Sequence, residues 1–359
     1  MQGDETIKKK RNEVDIALEE ILAVQNKQES LFLTGFDPLD RNLPEGLMNK
    51  MIFIGSRPGH GKTHNSERLI DNFLSGNINV GHEVRILRMN LEMPTKSLVL
   101  RALKQELRMS VREILNTPFK DLSEELQEKA RVVLRKLKDK RVTNFSEAVE
   151  GEDLEALITD FCTQYDEKVK KIIIVDHLHI YSDKTSIDSV LSICNRMKMK
   201  FKNLCYIFYF QFNRTLEDLW RDNKSNKVNL KNMFPHSGHI YQTDLLMQYA
   251  DIVMGLVIPQ AVDLESFAEV NKKKYAHLSG DFLPGKSNGM YATLRGNNRI
   301  YYNLIKVRGI DSFDDPRIFS AKLDESKEEV VEDIIPLEED TPDLGVKTEE
   351  IQNFLEDVI

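Results

Sequence analysis

Apolar residues along this chain change their period repeatedly, and each change marks an element. Within the highly charged stretch 4–30, Val14, Leu18, Ile21 and Leu22 recur at helical spacing, which predicts an amphipathic helix ahead of the core. From Leu31 a turn-rich run, Leu-Phe-Leu-Thr-Gly-Phe-Asp-Pro-Leu-Asp, leads into a first strand around residues 50–54. Helical and extended signals then alternate. Residues 65–74, 95–108, 123–138, 152–164 and 187–202 read as helices, and 83–90, 141–145, 171–175 and 204–210 as strands. The last third is strand-rich, with strands expected over 252–258, 290–295 and 301–307 and a hairpin signal at Gly296-Asn297-Asn298. Alternation followed by strands predicts a three-layer α/β domain, its central sheet mainly parallel with an antiparallel extension. The expected division is 1–30, 31–323 and 324–359.

Composition sharpens the ends of this picture. At 359 residues and 41% hydrophobic content the chain can bury a sizeable core. Cys162, Cys194 and Cys205 lie in apolar or helical stretches without metal-ligand spacing, so buried, reduced thiols are expected. Neither a membrane-spanning apolar run nor the apolar core of a signal peptide is present, which predicts a soluble, intracellular protein. Residues 324–359 hold fourteen acidic residues against Lys327 and Lys347, a local charge of −12 that leaves +4 on the other 323 residues. A mildly basic body with an acidic tail suits a nucleic-acid-binding protein whose tail is solvated or docks on a basic partner. A disordered solubilising tail fits residues 324–348 equally. Ile351, Phe354, Leu355 and Val358 return to helical spacing, as a short docking helix would.

The candidate chemistry begins where the first strand ends. Ser56-Arg57-Pro58-Gly59-His60-Gly61-Lys62-Thr63 joins an apolar strand to a helix through a glycine-rich turn, the order that a polyphosphate cradle requires. Gly59 and Gly61 let the backbone approach phosphate, Lys62 supplies a cation for the β- and γ-phosphates, and Thr63 supplies a hydroxyl for Mg²⁺. The helix that follows His64 offers its positive N-terminus. Residues 56–64 are therefore expected to bind ATP or another nucleoside triphosphate. About 110 residues downstream, Ile172-Ile173-Ile174-Val175-Asp176 has the form of a buried strand ending in the carboxylate that holds Mg²⁺, making Asp176 the second metal residue. Hydrolysis also needs a group to polarise water. His177 stands directly after Asp176, so the candidate is Glu92, at the end of the strand before Pro94. A Glu there would equally cap the helix that starts at Pro94.

Six segments together resemble the DnaB-like replicative DNA helicases, a RecA-type superfamily. Thr34-Gly35-Phe36-Asp37-Pro38-Leu39-Asp40 is similar to that family's lead-in, and Ser56 to Thr63 to its Arg-Pro phosphate loop. Asn90-Leu91-Glu92-Met93-Pro94, with Arg101 soon after, resembles the segment whose Glu activates water. Asp176-His177-Leu178-His179 and Gln211-Phe212-Asn213-Arg214 resemble two further motifs, and Lys306-Val307-Arg308-Gly309 the Lys-x-Arg pair that reaches across a subunit boundary. The resemblance covers about residues 14–315. It implies a RecA-like P-loop ATPase domain with a linker helix before it and the acidic tail behind it, assembled as a homo-hexamer that translocates on single-stranded DNA and unwinds duplex with ATP and Mg²⁺. Glu92, Lys62, Asp176, Gln211, Arg308 and Lys306 would be its catalytic set. Gln211 would sense the γ-phosphate or DNA, and Glu92, in a RecA-type strand order, would sit beside the phosphate loop. Lys306 and Arg308, alternate residues of one strand, point the same way, as two solvated residues on an edge strand also would. The helix in residues 4–30 resembles the linker that packs on an adjacent protomer; as a bare pattern it would equally cover its own subunit.

Departures qualify the resemblance. Bacterial members carry a large helical N-terminal domain where this chain has about thirty residues, so a primase-binding collar is expected to be missing or supplied by another protein. His177 and His179 replace an aromatic and an amide without metal-ligand company, Phe210 stands where a Ser is usual, and Ala250-Asp251 lacks the preceding glycine. This divergence suggests a bacteriophage or plasmid protein in a bacterial cytoplasm. DNA is expected on two loops facing the ring channel, one with Lys184 and the other, 214–242, with Arg214, Arg221, Lys224, Lys227 and Lys231, a composition that grips phosphates without reading sequence. Trp220 would serve either to stack on a base or to pack under the loop. A primase, helicase loader or polymerase is the expected partner of the tail. The alternative reading is a RecA-like recombinase or another DNA-dependent P-loop ATPase without unwinding activity. Glu92 and Arg308 argue against a nucleotide-binding adaptor without turnover.

Overall fold

The structure, a computed structural model, describes residues 14, 21–22, 30–40, 43, 45–91, 94–147, 149–178, 184–222, 234–240, 243–258, 266–269, 283–284, 291–293, 299–308 and 317–322. The described strands are β1 (Met51–Ser56), β2 (Val84–Asn90), β3 (Val142–Phe145), β4 (Lys170–Asp176), β5 (Leu204–Gln211), β6 (Ile252–Val257), β7 (Ser266–Glu269), β8 (Leu283–Pro284), β9 (Tyr291–Thr293), β10 (Arg299–Val307) and β11 (Arg317–Lys322). Eight of them form one sheet in the order β11-β10-β6-β1-β5-β4-β2-β3. The six from β6 to β3 are mutually parallel, and β10 and β11 add the antiparallel extension.

Burial explains the architecture. Every residue of β1, β4 and β6 is buried, which a parallel sheet achieves only with helices on both faces. On one face Ile52, Ile54, Ile86, Ile172 and Ile174 meet Leu69, Ile70 and Phe73 of α1 (Lys62–Leu74) and Phe32, Phe36 and Leu39 of the lead-in. The other face, carrying Phe53, Leu87, Met89, Ile173 and Val175, packs against α5 (Gly151–Thr163) and α6 (Lys184–Lys200). The same core takes in Leu216 and Trp220 of α7 (Thr215–Asp222) and Leu245 and Leu246 of α8 (Thr243–Tyr249). Beyond this body, α2 (Thr95–Leu107), α3 (Val111–Asn116) and α4 (Glu124–Leu137) share a small satellite core of Leu103, Leu107, Ala130 and Val133. The three-layer RecA-like fold follows the sequence reading.

The lead-in braces the phosphate-loop helix. The Asp40 carboxylate accepts from the Thr34 N–H at 2.8 Å, the Thr34 hydroxyl at 2.7 Å and the Gly35 N–H at 3.0 Å, and Asn72 of α1 donates to the Thr34 carbonyl at 2.9 Å. Gly35 has φ +77°, and a Cβ there would meet the Asn72 amide at 2.6 Å, so another residue would be strained and would push that amide off the Thr34 carbonyl.

Several expectations need revision. The strand expected over 290–295 shortens to β9 and belongs to a separate three-stranded sheet with β7 and β8, since strand periodicity does not say which sheet a strand joins. The loop expected over 214–242 begins as helix α7, because Leu216, Leu219 and Trp220 repeat at helical spacing. Trp220 is 2% exposed and packs inside. β5 and β4 lie between β1 and β2, and Glu92, expected beside the phosphate loop, lies outside the described residues. The Gly296-Asn297-Asn298 turn and the acidic tail lie outside the described residues. At the other terminus Val14, Ile21 and Leu22 are helical and each more than half exposed. The three cysteines are free and buried, and burial pushes the Cys162 and Cys205 thiols up to about 12. Among the described residues no helix is long and apolar enough to cross a membrane.

Candidate active site

At the carboxyl end of β1 the chain turns at Ser56 and enters α1 at Lys62. Gly59 and Gly61 both adopt left-handed conformations, φ +82° and +83°. A Cβ on Gly59 would meet nothing within 4 Å, so the loop is open at that point, whereas one on Gly61 would press on Ile300 at 3.1 Å and Ile258 at 3.2 Å. Gly61 caps α1 without a side-chain hydrogen bond, and the first helical bond runs from the Asn65 N–H to the Gly61 carbonyl at 2.8 Å. The N–H groups of the first turn therefore have no intrahelical acceptor and direct the helix dipole at the loop. Lys62 is 9% exposed, and Thr63 and His64 are half-buried beside it. An open glycine, an uncapped thirteen-residue helix, a buried lysine and an adjacent hydroxyl form a donor set that fits a polyphosphate with Mg²⁺.

Asp176 ends β4 and is 5% exposed. Its carbonyl accepts from the Leu91 N–H at 2.7 Å, and Asn90 is its partner in register, so β2 and β4 finish level with each other. Glu92 follows one residue later and lies outside the described residues. Gln211 ends β5 in register with Ser56, and the next residue, Phe212, donates its N–H to the Ser56 carbonyl at 3.2 Å. Lys62, Thr63, Asp176 and Gln211 thus all stand at the carboxyl ends of parallel strands, where open α/β sheets place their ligands.

Two side chains of the loop turn away from any phosphate. The Arg57 guanidinium donates through Nε to Glu217 of α7 at 2.7 Å, lies 2.6 Å from the same carboxylate through Nη2, and gives Nη1 to the Phe212 carbonyl at 2.7 Å. His60, 2% exposed, accepts the Ile258 N–H on Nδ1 at 2.9 Å and packs its ring on Trp220, centroids 4.9 Å apart. Burial lowers the His60 pKa to about 4, so the ring is neutral near pH 7 with its proton on Nε2. These residues contribute backbone to the cradle while their side chains fasten α7 against it.

The sequence gives no hint of several supporting contacts. Tyr209 of β5 donates to Asn65 of α1 at 2.7 Å, and Asn65 donates to Tyr302 of β10 at 3.2 Å, a buried chain behind the loop. Arg88 of β2 pairs with Glu67 of α1 at 2.6 Å. A charged residue inside an otherwise apolar strand, as at Arg88, is the one signal that could have suggested a partner.

Lys306 and Arg308 lie at the opposite end of the sheet. Because β10 runs antiparallel to β6, Val307 pairs with Ile252 at the start of β6, and both cations end up near the amino ends of the parallel strands. β1 is six residues long, on the order of 20 Å, so neither reaches the phosphate loop of its own chain. Both engage the carboxyl end of α8: Lys306 donates to the Met247 carbonyl, and Arg308 Nη2 lies 3.3 to 3.5 Å from the carbonyls of Gln248, Tyr249 and Ala250. Asp251 then gathers three groups, Arg308 Nε at 3.0 Å, Lys198 Nζ at 3.0 Å and the Met51 N–H at 2.8 Å. Burial lowers the Lys306 pKa, with Arg308 adding to the shift.

Of the expected DNA contacts, Arg214 is exposed after β5. Lys184 begins α6 and Arg221 lies in α7, their side chains outside the described residues, as are Lys224, Lys227 and Lys231 altogether.

Residues 32–277 match the model of the DnaB-like helicase C terminal domain. Among solved structures, the chain is similar to one described as an "ATPase Domain", with a TM-score of 0.58 and 17% identity over 86% of this chain and 95% of that one. It is also similar to "The Structure Of A DnaB-Like Replicative Helicase And Its Interactions With Primase", with a TM-score of 0.56 and 16% identity over 88% of this chain and 65% of that one. At these identities the likeness to both is one of fold. No curated protein matches the chain.

Proposed function

The chain belongs to the DnaB-like helicase family, and from that premise we propose that it is a ring-shaped replicative DNA helicase that couples ATP hydrolysis to movement on single-stranded DNA and to duplex unwinding. In this reading the first-turn N–H groups of α1 and Lys62 bind the triphosphate. Mg²⁺, when bound, is held by Thr63 and Asp176 and offsets charge on the phosphate oxygens. Glu92 orients and polarises the attacking water, and Gln211, level with Ser56, senses the γ-phosphate.

One observation carries the ring. The family's Lys-x-Arg pair, Lys306 and Arg308, is at the far end of the sheet from its own phosphate loop, so a cation from this pair can meet a γ-phosphate only across a subunit boundary. A head-to-tail interface whose rotation closes gives a ring, and a homo-hexamer is the assembly proposed. The exposed apolar residues Val14, Ile21 and Leu22 suit a linker helix seated on the neighbouring protomer. Arg214, Arg221, Lys184, Lys224, Lys227 and Lys231 are the proposed contacts to the DNA backbone. Because one similar structure is described by its interactions with primase, primase is proposed as a partner alongside a loader or polymerase, with the acidic tail as the docking segment, in a bacterial cytoplasm. Separation of a forked DNA substrate, with ATP and Mg²⁺ together and with neither, tests the reading. Unwinding that depends on both is expected; DNA-stimulated hydrolysis with no strand separation would favour a recombinase-type ATPase instead.

A further inference from the structure

The contacts of Arg57 and His60 are unusual for a phosphate loop, because both side chains spend themselves on one short helix. At one end of the loop the Arg57 guanidinium, 11% exposed, is fixed between the Glu217 carboxylate and the Phe212 carbonyl. At the other end His60 is wedged between the Ile258 N–H and the Trp220 indole. Glu217 and Trp220 are three residues apart and lie on one face of α7. The loop and helix are therefore joined at two points, and the Phe212 carbonyl makes the residue after Gln211 a third. A loop that tightens on phosphates cannot move residues 57–60 without moving α7, and a pull on α7 is felt at the loop.

We propose that Arg57–Glu217 and His60–Trp220 act as a paired link that couples occupancy of the phosphate loop to the position of α7. This rests on the helicase reading above, since α7 leads in sequence to the lysines proposed to hold DNA. Glu217 and Trp220 would act as positioning residues, through Arg57 and His60. The link carries information both ways, as any coupling free energy between two sites must. Neutral His60 suits the role because it packs against an indole, the rings tilted by 37°, without adding a charge that would compete with Lys62 for phosphate.

The chain contains a single tryptophan, Trp220, so emission excited selectively from tryptophan reports on the surroundings of this one residue. The experiment uses the full chain, wild type, Glu217→Gln and the exchanged pair Arg57→Glu with Glu217→Arg, and measures emission on adding ATP with Mg²⁺, affinity for a fluorescent ATP analogue, and ATPase rate with and without oligo(dT). We expect ATP to change wild-type emission. Glu217→Gln should keep its nucleotide affinity within about twofold and lose at least about fivefold of the DNA stimulation, the lower end of ordinary coupling energies, and the exchanged pair should recover part of it. Emission indifferent to ATP, or wild-type DNA stimulation in Glu217→Gln, would overturn the link. So would a loss of stimulation matched by an equal loss of affinity, which would make Glu217 a structural prop for the loop. Absence of DNA stimulation in the wild type would reject the helicase reading on its own, and the emission response to ATP would then decide the link separately.

Discussion

The two ends of the central sheet handle charge in opposite ways. At the carboxyl end the arginines are spent on the protein itself, Arg57 on Glu217 and Arg88 on Glu67, while Lys62 is buried at the head of an uncapped helix, a setting made for an anion. At the amino end Asp251 collects Lys198, Arg308 and the Met51 N–H, and leaves Arg308 56% exposed at the surface. One end is shaped to receive phosphate. The other is shaped to hold out a cation. A single subunit cannot bring them together, and the proposed ring would do so by setting one protomer's presenting end against its neighbour's receiving end.

Breaking the receiving end should have the largest effect. Lys62→Ala removes the cation buried at the head of α1, and ATP affinity and turnover should fall by roughly 100-fold or more; near wild-type hydrolysis would show the loop is not the phosphate site. Breaking the presenting end should act on stability as well as activity. Asp251→Asn leaves the Lys198 ammonium, 8% exposed, without its carboxylate, a loss of about 3–5 kcal/mol for a buried pair. Chemical denaturation reads this directly, and a change under about 1 kcal/mol would mean that Lys198 finds water or another partner.

A smaller effect separates the ends by pH. The folded-state pKa of His60 lies near 4 against an ordinary 6.5, and that of His239 does likewise, burial being the first cause of both. Between those values the unfolded chain takes up a proton that the folded chain refuses. Stability is therefore full above pH 6.5 and is lost as pH falls towards 4, by on the order of 2 kcal/mol at pH 5 for the deeply buried His60 and by less for His239. Melting temperatures of wild type and His60→Gln across pH 5–7 test this: the variant should have the shallower slope, and parallel slopes would contradict it. The smallest effect concerns the tail. Removing 324–359 takes the formal charge from −8 to +4, so nonspecific binding of single-stranded DNA should tighten several-fold at low salt and converge with wild type as salt screens it. An unfolded truncation would make the tail part of the core.

The receiving end was legible in the sequence because a phosphate cradle needs its residues contiguous: Gly59, Gly61, Lys62 and Thr63 had to be neighbours. Asp176 and Gln211 were legible as polar ends of apolar strands. What could not be read is lateral order. Nothing in the run from Val84 to Asn90 says that β4 and β5 intervene between it and β1. Nor do side-chain partners 160 residues apart, such as Arg57 and Glu217, leave a local trace. The expected loop after β5 is partly helical because Leu216 and Trp220, four residues apart, bury one face of α7 in the core.

The central claim is that each site is completed by the neighbour. Glu92→Gln and Arg308→Ala should each abolish ATPase in homogeneous rings, for reasons at opposite ends of the sheet. Mixed in equal amounts under conditions of proven subunit exchange, they should regain activity, because about a quarter of head-to-tail interfaces then pair an intact Glu92 with an intact Arg308. Recovery towards that fraction of the wild-type rate is the predicted result. Mixed rings as inactive as either parent would contradict the shared site.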